Sequence, residues 1–130
     1  MIVKRSLVFS ALATIILSAS IGYANAADVA KGKAVFNKCR ACHSLKAGKN
    51  MIGPSLEGIF GRTAGTEKGY NYSSAMKKAG EKGLVWNEQT LFDYLKKPRA
   101  YVKGTKMPFA GLHKESDRHN LIAFLKQAAK

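Results

Sequence analysis

Apolar positions recur at helical spacing in several stretches of the chain, and a polar residue precedes most of them. Asp28 can cap a helix that runs to Cys42, and one face of this helix carries Val29, Gly32, Val35, Phe36 and Cys39. Gly32 is unusual inside a helix, where glycine costs about 1 kcal/mol relative to Ala. We therefore expect another helix to approach this one closely at Gly32.

The second half of the chain predicts further helices with their own start and stop residues. Each pairs a polar cap with apolar residues three or four apart, and each ends at a glycine or before a proline. The predicted segments are Ser73 to Ala79 ended by Gly80, Asn87 to Lys97 before Pro98, one turn over 99–102, and a last helix capped by Ser116. Their inward residues are Leu91, Phe92, Leu95, Leu121, Ile122, Phe124, Leu125 and Ala128.

Residues 44–69 show no regular period and are interrupted by glycines. Leu56, Ile59 and Phe60 favour a long loop that wraps around something, because a flexible linker would not carry such residues. No stretch alternates apolar and polar residues over five positions. The pattern therefore predicts one all-α domain of about five short helices, with no internal repeat and no second domain.

The first 26 residues have the composition of a secretory signal. Lys4 and Arg5 precede an uncharged apolar run over residues 7–21, and Ala24-Asn25-Ala26 provides small residues for cleavage. The run is shorter than the roughly 20 apolar residues that cross a bilayer. We predict that residues 1–26 are cleaved and that residues 27–130 form the mature domain.

Charge and size restrict what such a domain can be. Without Lys4 and Arg5, 20 Lys and Arg face eight Asp and Glu, a net charge of +12. This charge favours nucleic acid, anionic lipid or an acidic protein surface, and the secretory signal disfavours nucleic acid. A small domain buries a limited core and often needs a disulfide, a metal or a large apolar cofactor. One disulfide closing a tiny loop would add little.

Residues 39–43, Cys-Arg-Ala-Cys-His, hold both cysteines of the chain and admit three interpretations. A thioredoxin-like pair needs a preceding strand in a βαβ context, whereas a predicted helix precedes this one. A structural zinc site takes four Cys or His ligands; the adjacency of His43 to Cys42 makes this awkward, although His113 or His119 could be a fourth ligand. The third interpretation is C-x-x-C-H, the attachment site of a c-type haem.

The haem interpretation gives each position in the motif a role. A helical ending places Cys39 and Cys42 on one side of a turn, where two thiols can bond the two vinyl groups. His43 follows at once and can reach the iron, while Arg40 and Ala41 are spacers. Export agrees with this interpretation, because bacteria attach covalent haem outside the cytoplasm.

A second axial ligand must come from a methionine or another histidine. Outside the signal segment the candidates are Met51, Met76, Met107, His113 and His119. Met107 lies in Gly-Thr-Lys-Met-Pro-Phe, a loop confined between a glycine and a proline, which favours it as the ligand. For Met51 and Met76 the simpler role is to fill the core. Ligation by histidine and methionine raises the reduction potential and keeps substrates off the iron.

Motifs along residues 28–129 resemble the small soluble class I cytochromes c, both mitochondrial and bacterial. In family order the chain reads Gly53-Pro54-Ser55-Leu56, Phe60-Gly61-Arg62, Gly69-Tyr70-Asn71-Tyr72, Trp86, Tyr94-Leu95, Lys96-Lys97-Pro98, Gly104-Thr105-Lys106-Met107 and Leu121-Ile122-Ala123-Phe124-Leu125. The resemblance implies a cytochrome c-type domain of about five short helices wrapped around one covalently attached haem c.

The resemblance also assigns roles to individual residues. It implies thioether bonds from Cys39 and Cys42 and axial ligation of the iron by His43 and Met107. The carbonyl of Pro54 would orient the histidine ring, and Arg62, Tyr72 and Trp86 would meet a haem propionate. Tyr94 and Thr105 would lie near the methionine, and Phe109 would cover a haem edge. Gly32 and Phe124 match the close crossing of the two terminal helices.

The chain departs from the mitochondrial pattern at a few positions. Met76 replaces an asparagine of the haem-pocket polar network, and Lys103 replaces a proline in the methionine loop. Three extra residues lie within 78–83, and one is missing before Gly53. The length changes resemble bacterial members and, with the secretory signal, predict a periplasmic location.

The function implied is that of a diffusible one-electron carrier and not an enzyme, with a basic rim that steers it onto acidic partners. The rim candidates are Lys38, Lys49, Arg99, Lys106 and Lys114. The expected donor is a cytochrome bc-type complex or a periplasmic dehydrogenase, and the expected acceptor is a terminal oxidase or a photosynthetic reaction centre. We expect a monomer that touches membrane surfaces transiently and does not bind nucleic acid.

Two other classes of function remain open at this point. A haem enzyme such as a peroxidase would need an open iron site, and strong binding of cyanide or carbon monoxide would indicate it. A non-haem protein that binds zinc or an anionic surface would lack the c-type α band in its visible spectrum.

Overall fold

The chain folds into five helices connected by long loops. A computed structural model describes residues 26–130, and the predicted signal segment lies outside this range apart from Ala26. The helices are α1 (Val29–Phe36), α2 (Ser74–Glu81), α3 (Glu88–Lys96), α4 (Pro98–Tyr101) and α5 (Glu115–Ala128). Within the described range the β pairing is limited to one isolated bridge between Thr63 and Val85. The all-α prediction is confirmed. No helix in residues 26–130 has the length and apolar character of a membrane span.

Helix α1 begins as predicted but ends earlier. The Asp28 carboxylate accepts a hydrogen bond from the Lys31 N–H at 3.0 Å and so caps the helix. The helix stops at Phe36 instead of Cys42. Beyond it the chain tightens into turns, in which the N–H groups of Cys42 and His43 both donate to the carbonyl of Cys39. These turns, and not a continuing helix, fix the spacing of the motif.

The two terminal helices cross at Gly32. A Cβ atom on Gly32 would lie 1.9 Å from the carbonyl oxygen of Asn120 and 2.8 Å from Cβ of Phe124. The rings of Phe36 and Phe124 pack beside this point, with centroids 5.4 Å apart. The close approach predicted from Gly32 is therefore confirmed, and α5 is the partner helix.

Helix α2, like α1, contains a glycine at a point where another part of the chain approaches closely. Ser73 caps it, accepting a hydrogen bond from the N–H of Met76 at 3.1 Å. Gly80 was expected to end the helix, but the helix continues to Glu81 and Gly80 lies inside it. A Cβ atom there would lie 1.9 Å from the carbonyl oxygen of Ala64. Gly80 therefore allows α2 to pack closely against Ala64 and does not end the helix.

Helices α3 and α4 follow the sequence prediction closely. Asn87 caps α3 by accepting from the Thr90 N–H, and the Thr90 hydroxyl accepts from the Asn87 N–H in return. The helix ends before Pro98, which opens α4 at a position where proline is favoured.

Helix α5 begins at Glu115 after Lys114, which makes no side-chain cap. The prediction that Ser116 caps it is wrong, because Ser116 already lies in the first turn. Carboxylates at Glu115 and Asp117 interact favourably with the helix dipole there.

Arg118 of α5 holds the loop that precedes its own helix. Its side chain is buried, and Nη1 donates to the carbonyls of Leu112 at 2.6 Å and His113 at 3.1 Å. The guanidinium lies 4.3 Å from the centre of the Phe92 ring of α3. The N–H of Leu112 also donates to the carbonyl of Leu95 at 2.8 Å. Residues 102–114, called the 102–114 loop below, are thus attached to both α3 and α5.

The glycine-rich segment wraps around the helices, as predicted. Ile59 is buried in the core, and Leu56 and Phe60 pack against it. The N–H of Gly58 donates to the carbonyl of Ala129 at 2.7 Å, which joins this segment to the end of α5. The wrapped segment closes one side of an internal cavity.

Candidate functional site

One cavity of about 290 Å³ gathers most of the residues singled out by the sequence. Helices α1, α2, α3 and α5 supply apolar side chains to its wall, among them Phe36, Met76, Leu91, Leu95, Leu121 and Leu125. Cys39, Cys42, His43 and Met107 all line this same cavity. The fold therefore brings Met107 to the same site as the Cys-x-x-Cys-His motif, which lies 64 or more positions earlier in the sequence.

The imidazole of His43 is oriented by its neighbours. Nδ1 lies 2.8 Å from the carbonyl oxygen of Pro54, which can only accept, so Nδ1 carries the proton and Nε2 is left with its lone pair. Gly53 makes room for the ring, because a Cβ atom there would lie 2.4 Å from Cε1 of His43. Burial lowers the pKa of His43, although the bond to Pro54 opposes this. The neutral form that results is the one that binds metals.

The two cysteines are half-buried and are not joined by a disulfide. Burial, with the neighbouring Cys42 as a smaller cause, raises the pKa of the Cys39 thiol to about 11. Among residues 26–130 no three His, Cys, Asp or Glu side chains are grouped so as to hold a metal ion. Both cysteines line the cavity, so either thiol can bond a group that occupies it.

The thioether of Met107 is also held in place. Its sulfur accepts a hydrogen bond from the Tyr94 hydroxyl at 3.3 Å. The Thr105 hydroxyl lies 3.4 Å from that phenol and accepts from the Met107 N–H at 3.3 Å. Burial raises the pKa of Tyr94, so the phenol keeps its proton and remains a donor. Tyr94, Thr105 and Phe109 all line the cavity.

Of Arg62, Tyr72 and Trp86, the three residues expected near a propionate, two line the cavity and one does not. Tyr72 and Trp86 line the cavity, whereas Arg62 does not. The guanidinium of Arg62 donates to the carbonyl of Ser55 at 2.8 Å and contacts the carbonyl of Glu57. It also pairs with the carboxylate of Glu67 at 3.1 Å. No motif in the sequence indicated Glu67, because its role depends on a contact across the folded loop.

These features fit a c-type haem. The wall is apolar, two thiols and an imidazole lie together, and a thioether lies on the same cavity. The lone pair on Nε2 of His43 and the space left by Gly53 are what an axial ligand requires.

Two of the five basic residues expected on a docking rim belong to the cavity itself. Lys38 and Lys106 line it, and the ammonium of Lys106 donates to the carbonyl of Asn71 at 3.0 Å. Lys49, Arg99 and Lys114 are exposed but do not line the cavity. Lys38 and Lys106 are therefore the rim candidates that border the site directly.

Comparison with known proteins gives matches over almost the whole described chain. The family model described as cytochrome c matches residues 29–129. A cytochrome c2 of Agrobacterium tumefaciens is 54% identical over 99 residues, covering 75% of this chain and 89% of the relative. A cytochrome c of Cochliobolus lunatus is 50% identical over 105 residues, covering 79% and 94%. A cytochrome c2 of Blastochloris viridis is 44% identical over 124 residues, covering 95% and 93%.

Proposed function

The chain belongs to the cytochrome c family, and from that premise we propose how its own residues carry single electrons. The protein is an electron carrier with a covalently bound c-type haem. The haem would supply a reversible one-electron change between ferrous and ferric iron. The observation that supports the assignment of residues is the meeting of Cys39, Cys42, His43 and Met107 on one cavity.

In this proposal Cys39 and Cys42 would hold the haem by thioether bonds, and His43 and Met107 would bind its iron. Pro54 keeps the imidazole in the tautomer that presents Nε2. Tyr94 and Thr105 hold the methionine sulfur through the contacts described above. Because the ligands are positioned before an electron arrives, little of the protein has to rearrange when the charge changes.

The other residues that line the cavity determine how polar its interior is. Apolar side chains of α3 and α5 exclude water, while Tyr72 and Trp86 supply polar groups that can meet a propionate. With His43 and Met107 both bound to the iron, substrates would be kept off it, and we propose on this basis that the protein is not an enzyme.

The attachment chemistry is tested by removing the thiols. We expect the chain exported from cells that attach haem to show a c-type α band and to keep its colour after extraction with acid acetone. Cys39→Ser and Cys42→Ser should each remove one thioether bond, and the double variant should lose all extraction-resistant haem. Arg40→Ala, a change between the two cysteines at an exposed position, should leave attachment intact. Colourless wild-type protein from such cells would refute the proposal.

For location and partners we propose the periplasm and the acidic faces of redox complexes. The predicted secretory signal and the bacterial cytochrome c2 relatives support the location. The positive charge and the two cavity lysines support acidic partners, with a bc-type complex or a periplasmic dehydrogenase as donor and an oxidase or a reaction centre as acceptor.

Electrostatic docking predicts that electron transfer to a membrane oxidase slows as salt is added. At low salt, Lys38→Gln should slow the second-order rate about two- to fivefold, as expected for one exposed ion pair worth roughly 0.4–1 kcal/mol. Lys78→Gln removes the same charge at an exposed position away from the cavity and should change the rate less. Stopped-flow rates that are independent of salt, or equal for the two variants, would contradict a docking site at Lys38.

A further inference from the structure

The ion pair between Arg62 and Glu67 differs from the other ion pairs of residues 26–130 in its burial. The side chains of Arg62 and Glu67 are only 12% and 15% exposed, whereas every other paired side chain is at least 41% exposed. A charge pair shielded from solvent is screened less by water and salt than a surface pair. The two charges can therefore act on groups deeper in the protein.

The arginine in this pair is fixed on more than one side. Besides the carboxylate of Glu67, its guanidinium contacts the carbonyls of Ser55 and Glu57. The carbonyls provide dipoles but no full negative charge. Within the described chain Glu67 supplies the carboxylate that pairs with Arg62, and it therefore cancels most of the positive charge that Arg62 would otherwise present.

Tyr72 connects the pair to the cavity. The N–H of Glu67 donates to the Tyr72 hydroxyl at 3.3 Å, and the Tyr72 ring lines the cavity. Burial raises the pKa of Tyr72, although the Glu67 N–H and the nearby Arg62 charge oppose this, so the phenol is neutral. The uncharged side chain of Tyr72 thus contacts the segment that carries the ion pair and also lines the cavity.

From this arrangement we propose that Glu67 is a positioning residue that sets the reduction potential of the site by cancelling the charge of Arg62. The inference rests on the function proposed above. The oxidised site carries one more positive charge than the reduced site. A cation behind Tyr72 therefore favours the reduced form, and a carboxylate beside that cation removes the preference. Glu67, together with the carbonyls of Ser55 and Glu57, fixes the position of the Arg62 guanidinium.

The test is the midpoint potential of the holoprotein measured by spectroelectrochemistry. Glu67→Gln keeps the size and the hydrogen-bonding groups of the side chain but removes its charge. We expect the equilibrium constant for one-electron reduction to rise about two- to fivefold, or roughly 18 to 41 mV at 59 mV per tenfold change. Glu67→Ala removes the charge independently and must shift the potential in the same direction.

The matched control is Glu81→Gln, which deletes the same charge at an exposed position at the end of α2. It should shift the potential less than either variant at position 67. Potentials of the Glu67 variants that equal that of Glu81→Gln, or that fall below wild type, would overturn the inference while leaving the carrier function intact. A wild-type protein without a reversible one-electron potential would overturn both.

Discussion

The Met107→Ala protein is expected to lose the sulfur-to-iron charge-transfer absorbance and to have a lower reduction potential. A thioether ligand raises the potential, so its loss should lower it by about 0.1–0.3 V, a fraction of the roughly 0.8 V range that axial ligation spans. Tyr94 would lose the acceptor for its hydroxyl, since that group donates to the Met107 sulfur. The visible spectrum of the oxidised protein and its midpoint potential measure the two effects.

Two other methionines provide controls for this experiment. Met51 is 42% exposed and does not line the cavity, so Met51→Ala should change neither measurement. Met76 is buried and lines the same cavity as Met107. Met76→Ala should destabilise the protein by about 2–5 kcal/mol, as truncation of a buried methionine does, but keep the charge-transfer absorbance. If the absorbance persists in Met107→Ala and disappears in Met76→Ala, the sulfur ligand is Met76.

The Gly32→Ala protein is expected to be at least about 3 kcal/mol less stable than wild type, the upper end of the usual cost of overpacking. The added methyl group would lie 1.9 Å from the carbonyl oxygen of Asn120. That oxygen belongs to the backbone of α5 and cannot move without the helix. The higher intrinsic helix propensity of alanine, worth about 1 kcal/mol, is too small to offset the clash.

Unfolding of the holoprotein in guanidinium, followed by circular dichroism, gives the free energy of unfolding for this comparison. Lys33→Ala changes the neighbouring, exposed position of the same helix and should stay within about 0.5 kcal/mol of wild type. A Gly32→Ala protein as stable as wild type would mean that the two terminal helices separate at little cost, which would contradict the close crossing.

Where local chemistry alone determines an element, the sequence was sufficient to predict it. Asp28 and Asn87 cap helices because their side chains reach N–H groups three residues away. Helix ends that depend on contacts between residues far apart in the sequence could not be predicted in this way. Gly80 resembles a helix terminator in sequence, but its lack of a side chain serves contact with Ala64, which only the folded chain brings near. The start of α5 was predicted two residues too late, at Ser116 instead of Lys114, because Lys114 makes no side-chain cap.

The site also combines features that follow from the local sequence with features that depend on contacts made in the folded chain. The Cys-x-x-Cys-His motif was predicted as a site from its spacing, and Met107 from its place between a glycine and a proline; that they line one cavity is visible only in the structure. Tyr94 and Thr105 were named through the family resemblance, and their contacts with Met107 are visible only in the structure. Glu67 was missed because a single carboxylate in a polar loop carries no pattern. Its importance depends on burial beside Arg62, which cannot be read from neighbours in sequence.

The anchoring of the 102–114 loop by Arg118 links two processes that would otherwise be independent. Because the guanidinium lies on α5 and donates to the carbonyls of Leu112 and His113, fraying of the first turn of α5 would also remove one attachment of the loop that carries Met107. Local opening of the start of α5 and loosening of this loop are therefore coupled. The strength of the bond that we propose between Met107 and iron would then depend in part on a helix terminus outside the site.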